Sequence, residues 1–319
     1  MNRIGVLTSG GDAPGMNAAV RAIVRKAIFY GVEVYGINRG FMGLINSDFV
    51  KLDISSVGDI IHRGGTVLLT ARCDEFKTKE GQEKALKNLE AFGIGEMIVI
   101  GGDGSLKGAN VLSKLGIPTI GIPTTIDNDI PFTDTCIGFD TAVNTVVDAL
   151  NKVRDTATSH ERTFVIEVMG RKSGHLALYT GLASGAETIL VPEIPFDLNL
   201  VCEKIEKGYR RGKLHSIIVV AEGAADSIEV GKVIEEKTNL ETRVIILGHL
   251  QRGGTPSAYD RILASRFGGK AVDLLKENVK DKMLGLINGE LVLTDIEKVL
   301  ATTKPLDMEL YELADILSF

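Results

Sequence analysis

The chain contains no tryptophan, only three cysteines and only eight prolines among 319 residues. Cys73, Cys136 and Cys202 are odd in number and stand at unrelated spacings with no CxxC pair, which argues against a disulfide framework or a local zinc site and fits a reducing compartment. No apolar run approaches the roughly 18 to 20 residues that cross a bilayer, so a soluble chain with no membrane partner is expected. Residues 2–8 read as a buried strand, not as a basic segment leading into an apolar signal core, so no signal peptide is expected. A basic stripe is missing too: 36 Lys and Arg stand against 42 Asp and Glu, a net charge of -6 that argues against a nucleic-acid partner. The sign of the total does not exclude phosphate chemistry, because arginines that converge locally or a divalent cation can still hold a phosphate. No Pro/Ser-rich linker divides the chain, yet its length and 44% hydrophobic content exceed what one ordinary core needs. Two domains joined by short hinges are the expectation.

Short Val- and Ile-rich runs alternate with longer amphipathic stretches, the pattern of parallel strands joined by crossover helices, and the fold class is therefore α/β. Strands are expected at residues 3–8, 33–37, 97–100, 119–122, 164–168, 216–221 and 243–247, and a helix at 141–155. Many of them stop at glycine: Ser9-Gly10-Gly11-Asp12, Gly101-Gly102-Asp103-Gly104, Gly170-Arg171, Glu222-Gly223 and Gly248-His249. Ligands of open parallel sheets bind beyond the carboxyl ends of the strands, so five such turns suggest a shared binding edge. A brief echo, His62-Arg63-Gly64-Gly65-Thr66 against Gln251-Arg252-Gly253-Gly254-Thr255, is too short to establish duplication and reads as a repeated turn.

Four constellations carry candidate chemistry. The run Thr8-Ser9-Gly10-Gly11-Asp12-Ala13-Pro14-Gly15-Met16-Asn17 is followed by a helical stretch through Tyr30, so its backbone amides can face a phosphate; it lacks both the Lys-Ser/Thr ending of a Walker loop and the GxGxxG spacing, and a plain tight turn is the alternative. Val99-Ile100-Gly101-Gly102-Asp103-Gly104-Ser105 places one carboxylate among three glycines at a helix start, able to hold Mg²⁺ beside a triphosphate or simply to cap the helix. Pro123-Thr124-Thr125-Ile126-Asp127-Asn128-Asp129-Ile130-Pro131 sets two carboxylates around an amide between two prolines, one to accept a proton from an attacking hydroxyl and the other to orient metal or base; an Asx-rich turn is the alternative. Arg72, Arg162, Arg171, Arg243 and Arg252 stand near loop ends, where guanidinium forks suit phosphate oxygens.

With these motifs in order, the chain closely resembles the bacterial 6-phosphofructokinases from Ile4 to about Arg266, through LTSGGDAPGMNA, TARC, IGGDGS, TIDNDI, IGFDTA, RDTATSHERTF, EVMGR, AEG and LGHLQRGG. The resemblance implies two Rossmann-like lobes with largely parallel sheets and flanking helices and an active site in the cleft between them. It implies an ATP-binding lobe at 1–138 plus 251–301, and a sugar-phosphate lobe at 139–250 plus 302–319. On this resemblance Gly11, Arg72, Cys73, Gly102, Gly104 and Ser105 contact ATP and Asp103 binds Mg²⁺. Asp127 is the general base, with Thr125, Asp129 and Arg171 orienting or stabilising the transferring phosphoryl group. Arg162, Met169, Glu222, Arg243, His249 and Arg252 match the fructose 6-phosphate site, Arg162 and Arg243 reaching in from another subunit of a homotetramer. Arg21, Arg25, Arg154, Gly185, Glu187, Arg211, Lys213 and His215 match a regulatory site for ADP or phosphoenolpyruvate; Arg21 and Arg25, four apart, share a helix face that by itself reads as solvated. A cytoplasmic, glycolytic enzyme is implied. Two departures stand out. Thr124 replaces the usual glycine where pyrophosphate-using relatives have lysine, whereas Gly104 is kept where those relatives have aspartate; and Phe41 replaces a tyrosine common near the adenine. A pyrophosphate-dependent enzyme and a catalytically silent regulatory subunit are the alternatives that the resemblance leaves open.

Overall fold

A computed structural model describes residues 2–318; Met1 and Phe319, the outermost positions of the expected lobes, lie outside the described residues. The chain opens with β1 (Arg3–Thr8), α1 (Met16–Phe29), β2 (Glu33–Ile37), α2 (Phe41–Asn46), β3 (Phe49–Leu52), α3 (Lys79–Ala91), β4 (Glu96–Gly101), α4 (Asp103–Lys114) and β5 (Thr119–Pro123). It continues with α5 (Phe139–His160), β6 (Thr163–Val168), α6 (His175–Ala183), β7 (Thr188–Leu190), α7 (Leu198–Arg210), β8 (Ser216–Ala221), α8 (Ser227–Thr238) and β9 (Thr242–Ile246). It closes with α9 (Ala258–Lys276), β10 (Lys282–Ile287), β11 (Glu290–Asp295), α10 (Ile296–Leu300) and α11 (Met308–Leu317). Two compact units result: unit 1 holds the chain up to Thr125, Asp129–Thr141 and Arg252–Lys304, and unit 2 holds Ile126–Asn128, Ala142–Gln251 and the chain from Pro305.

Unit 1 is built on a seven-stranded sheet in the order β11-β10-β5-β4-β1-β2-β3, parallel except for the β2–β3 and β10–β11 pairs at its edges. Its central strands read as continuous apolar runs because both faces are covered. Ile4, Val6, Ile98 and Ile100 point to a core shared with Ile23 of α1 and Phe267 of α9, while Leu7, Met97 and Val99 point to the opposite core with Leu44 of α2, Leu89 of α3 and Leu106 of α4. Each such side chain contributes roughly 1.5–3 kcal/mol on full burial. Helices α1 and α9 cross so closely that a Cβ on Gly268 would lie 2.7 Å from the Ala19 carbonyl oxygen.

Unit 2 carries a four-stranded, wholly parallel sheet in the order β7-β8-β6-β9. Val165, Ile218 and Val220 pack there against Ile205 of α7 and Ile234 of α8. Both helices start where an aspartate turns its side chain onto backbone N–H groups: Asp197 accepts from Asn199 at 2.8 Å and Asp226 from Ile228 at 2.8 Å.

Helix α5 starts two residues before the expected 141, for a reason that lies far off in the chain. Buried Asp260, on α9, accepts from the Gly138 and Thr141 amides at 2.8 Å each and from the Thr141 hydroxyl at 2.5 Å. A side chain more than a hundred residues away thus satisfies the orphan donors of the first turn.

Candidate active site

β1 and β4 are parallel neighbours, but α1 returns on one face of the sheet and α4 on the other. Such a divergence opens a crevice at the carboxyl ends of the two strands. The Ser9 amide donates to the Ile100 carbonyl at 3.0 Å, joining the two glycine loops at its floor. A Cβ on Gly101 would fall 2.3 Å from Ser105 Oγ, and one on Gly10, at φ 84°, would fall 3.3 Å from the same oxygen. That hydroxyl is buried and has no hydrogen-bond partner among the described residues.

Gly102, extended at φ -87° and ψ -162°, caps α4 and contributes no side-chain hydrogen bond, so the helix presents bare N–H groups. Asp103 is the first residue inside α4, not its cap, and its half-exposed carboxylate lies 2.7 Å from Lys107 Nζ. A Cβ on Gly104 would meet nothing within 4 Å. Backbone amides, open space, an unspent hydroxyl and one exposed carboxylate fit a nucleotide triphosphate with a divalent cation. Among the described residues no cluster of three or more His, Cys, Asp or Glu side chains stands ready to hold a metal. A cation here would take one protein carboxylate and complete its shell with phosphate oxygens and water, the habit of Mg²⁺.

The segment leading to Arg72 and Cys73 is tied to this loop: Thr8 Oγ1 pairs with Thr66 Oγ1 at 2.8 Å and donates to the Leu69 carbonyl at 3.0 Å, and Thr70 Oγ1 donates to the Gly10 carbonyl at 2.7 Å. Arg72 is exposed and Cys73 half-buried. Thr125 stands beside Gly102, at 3.6 Å from where its Cβ would be, and half-buried Asp129 belongs to the same unit. Arg252, matched by sequence to the sugar phosphate, lies against the nucleotide loop: its Nη1 donates to the Asp12 carbonyl at 3.4 Å, and a Cβ on Gly11 would come within 2.0 Å of that nitrogen. The repeated RGGT turns also meet, since a Cβ on Gly64 would fall 2.3 Å from the Gly254 carbonyl oxygen. Phe41 is buried, stacked on Phe76 at 4.5 Å, and its ring fills the space that Gly108 leaves open.

In unit 2 the ends of β6, β8 and β9 lie side by side, with Val168 opposite Ala221 and Glu167 opposite Ile246. Met169, Arg171, Glu222 and His249 follow those strands. Glu222 Oε1 accepts from the Gly170 amide at 3.2 Å and the Arg171 amide at 2.8 Å, holding a turn in which Arg171 has φ 53°. Asp127 is 4% exposed; Arg171 Nε lies 3.8 Å from its Oδ2, an ion-pair distance too long for a hydrogen bond, and Ser173 Oγ donates to its carbonyl at 3.0 Å. Arg162 and Arg243 stand elsewhere. Arg162 precedes β6, and Arg243 is paired with Phe164 at the amino ends of the strands. Four residue steps, on the order of 13 Å, separate that edge from the carboxyl ends.

Of the regulatory set, unit 2 gathers Arg154, Gly185, Glu187, Lys213 and His215. Arg154 donates to the Ser184 carbonyl, to Gly185 O at 3.4 Å, and lies 3.4 Å from His215 Nε2, while Lys213 is ion-paired with Glu187. Burial pushes the His215 imidazole below its ordinary value, and Arg154 and Lys213 add to the effect. Arg211 lines a cavity of about 280 Å³ with Glu187 and Lys213. Arg21 and Arg25 lie on α1 of unit 1.

Two positioning groups escape a motif reading. Gln251, fully buried, accepts from the Met169 amide at 3.0 Å and donates to the Gly248 carbonyl at 2.9 Å; Ser173 supports Asp127 as described. Ser173 is a lone polar residue in a turn, with no spacing to mark it, and Gln251 lies within LGHLQRGG, where nothing in the spacing separates its role from those of His249 and Arg252.

Bare backbone amides beside open space at the start of α4, and, separately, a buried carboxylate beside an arginine after β6, are each features of a kind that phosphotransferases use. Comparison with known proteins narrows the class. A family model described as Phosphofructokinase matches residues 3–275. Proteins named ATP-dependent 6-phosphofructokinase from Halothermothrix orenii and Bacillus subtilis are each 60% identical, over 331 and 318 residues, covering 100% of this chain and 100% of each relative. Phosphofructokinase from Saccharomyces cerevisiae superposes at a TM-score of 0.90 with 34% identity over 100% of this chain and 48% of that one, so this chain spans about half its length. A pyrophosphate-dependent phosphofructokinase from Marinobacter aquaeolei gives a TM-score of 0.87 at 22% identity over 97% of this chain and 86% of that chain, a likeness of fold alone. The chain belongs to the phosphofructokinase family.

Proposed function

We propose that this chain transfers the γ-phosphoryl group of ATP to the 1-hydroxyl of fructose 6-phosphate, giving fructose 1,6-bisphosphate and ADP, as the names of its 60% identical relatives imply. The observation that carries the donor assignment is the open space at Gly104, beside the bare N-terminus of α4. Gly11, Gly102, Gly104 and Ser105 cradle the phosphates, Arg72 and Cys73 border the nucleotide, and Asp103 supplies the protein ligand for Mg²⁺. The cation would neutralise charge on the β- and γ-phosphate oxygens. Asp127 takes the proton of the sugar 1-hydroxyl as its oxygen bonds to phosphorus and the bond to the ADP oxygen breaks. Arg171 stabilises charge on the moving group, with Thr125 and Asp129 orienting it. Met169, Glu222 and His249 hold the sugar, and Arg252 reaches its phosphate from beside Gly11.

Arg162 and Arg243 bind the 6-phosphate of another copy. Their place at the amino ends of β6 and β9, away from Met169, Glu222 and His249, supports a site completed in a homotetramer. Mixing Arg243→Ala with Asp127→Asn chains regenerates activity on this reading, and hybrids no more active than either parent would refute it. Arg154, Gly185, Glu187, Arg211, Lys213 and His215, with Arg21 and Arg25 of another copy, hold ADP or phosphoenolpyruvate, and Arg211→Ala lowers that affinity in a calorimetric titration; equal affinities would place the effector elsewhere. Among the described residues no helix is long and apolar enough to cross a membrane, in keeping with a cytoplasmic enzyme of glycolysis. The activity itself is tested by incubating the protein with Mg-ATP and fructose 6-phosphate. Stoichiometric ADP and fructose 1,6-bisphosphate are expected, and ATP hydrolysis without sugar phosphorylation would overturn the assignment.

A further inference from the structure

Arg162 and Arg243 lie on neighbouring chain segments, and two adjacent guanidinium groups repel each other and disorder easily. Glu241 is ion-paired with both of them. Glu241 precedes β9, and its carbonyl accepts from the Thr163 amide at 3.0 Å, which fixes its backbone to the start of β6. Its Oε2 lies 2.7 Å from Arg162 Nε, and its Oε1 pairs with Arg243 Nη2. Glu241 and Arg243 are two residues apart, close enough for their side chains to pair at the start of β9. The close ion pair with Arg162, and then the charge of Arg243, hold the Glu241 carboxyl below its ordinary range, so it is ionised at neutral pH.

We infer that Glu241 is a positioning residue for the phosphate-binding arginines: a built-in anion that holds Arg162 and Arg243 side by side and presents their remaining donors to the 6-phosphate. The inference rests on the reading that these two arginines bind that phosphate. The donors in use favour presentation over blockade. The ion pair takes Nε of Arg162 and one Nη of Arg243, and so leaves two Nη groups of the first, and Nε with the second Nη of the second, for phosphate oxygens. One negative charge among two positive ones also leaves the cluster cationic and attractive to a dianion.

Ordering a long side chain on binding carries a free-energy cost, so two arginines released from their tie should raise KM for fructose 6-phosphate roughly tenfold. Glu241→Gln keeps the shape and removes the charge. It is expected to show that increase with kcat within about twofold, and with KM for ATP and the thermal midpoint unmoved; a merely structural residue would not split them so. Glu241→Asp, which keeps the charge at shorter reach, should fall between the two, and in an Arg243→Ala background the Glu241→Gln effect should shrink to about twofold or less. If Arg162→Ala and Arg243→Ala each raise KM for fructose 6-phosphate while Glu241→Gln leaves it unchanged or lowers it, the positioning role is overturned and the phosphate reading stands. If neither arginine variant moves that KM, the phosphate reading fails and this inference fails with it.

Discussion

The two regions proposed to face ligands use side chains in opposite ways. At the ends of β1 and β4 the site is made largely by what is missing: glycines bring backbone amides to the surface, Gly104 leaves open space, and α4 starts on a cap with no side-chain hydrogen bond. At the ends of β6, β8 and β9 the site is made by what is present, with Asp127 buried beneath Arg171 and Glu222 bracing the turn. A backbone cradle suits phosphates, which every nucleotide shares; discriminating a sugar and moving a proton demand particular side chains. Asp103 apart, the first region should therefore fail chiefly when a side chain is added, and the second chiefly when one is lost.

The largest effect belongs to the second region. Asp127→Asn preserves shape and removes basicity, and kcat should fall by about 10²- to 10⁴-fold with little change in KM for fructose 6-phosphate. A kcat near that of the unsubstituted protein would remove Asp127 from the role. In the first region the informative change is an addition. Gly104→Asp has room in the protein, so stability should hold, but a carboxylate set against the proposed α-phosphate costs about 3 kcal/mol, and kcat/KM for ATP should drop on the order of 100-fold. Normal use of ATP by a folded Gly104→Asp protein would break the comparison.

A third substitution separates site from scaffold. Asp260→Ala leaves the Gly138 and Thr141 amides without their acceptor, at a cost of about 3 kcal/mol, read as a lower denaturation midpoint. Neither KM should change if Asp260 serves only the start of α5. The smallest effect is a pH dependence. Because the folded His215 binds its proton more weakly than the unfolded residue, the unfolded chain takes up the proton first as pH falls below 6.5, and stability declines there. His215→Gln should flatten that part of the profile, and an unchanged slope would assign it to other groups.

Much of this was legible in the sequence, and the misses have physical causes. All seven expected strands exist, and five of them, β1, β4, β5, β6 and β8, are buried on both faces and so announce themselves as apolar runs. The missed strands β3, β7, β10 and β11 are short, at or near a sheet edge, or interrupted by glycine: Gly285 stands in β10, and the alternation of β11 belongs to a strand with one face outward. The glycine loops were legible because only glycine allows such an approach of backbone to ligand. Gln251, Ser173 and Glu241 were not, since their partners come from turns and strand starts that local spacing does not connect; the Glu-x-Arg alternation at 241 and 243 was the one usable hint.

The central claim is that the backbone cradle at Gly104 accepts a nucleotide triphosphate. It is tested most directly by comparing kcat/KM for ATP and for pyrophosphate at saturating fructose 6-phosphate and Mg²⁺, in a coupled assay of fructose 1,6-bisphosphate formation. Efficient turnover is expected with ATP and little or none with pyrophosphate; faster turnover with pyrophosphate would overturn the donor assignment.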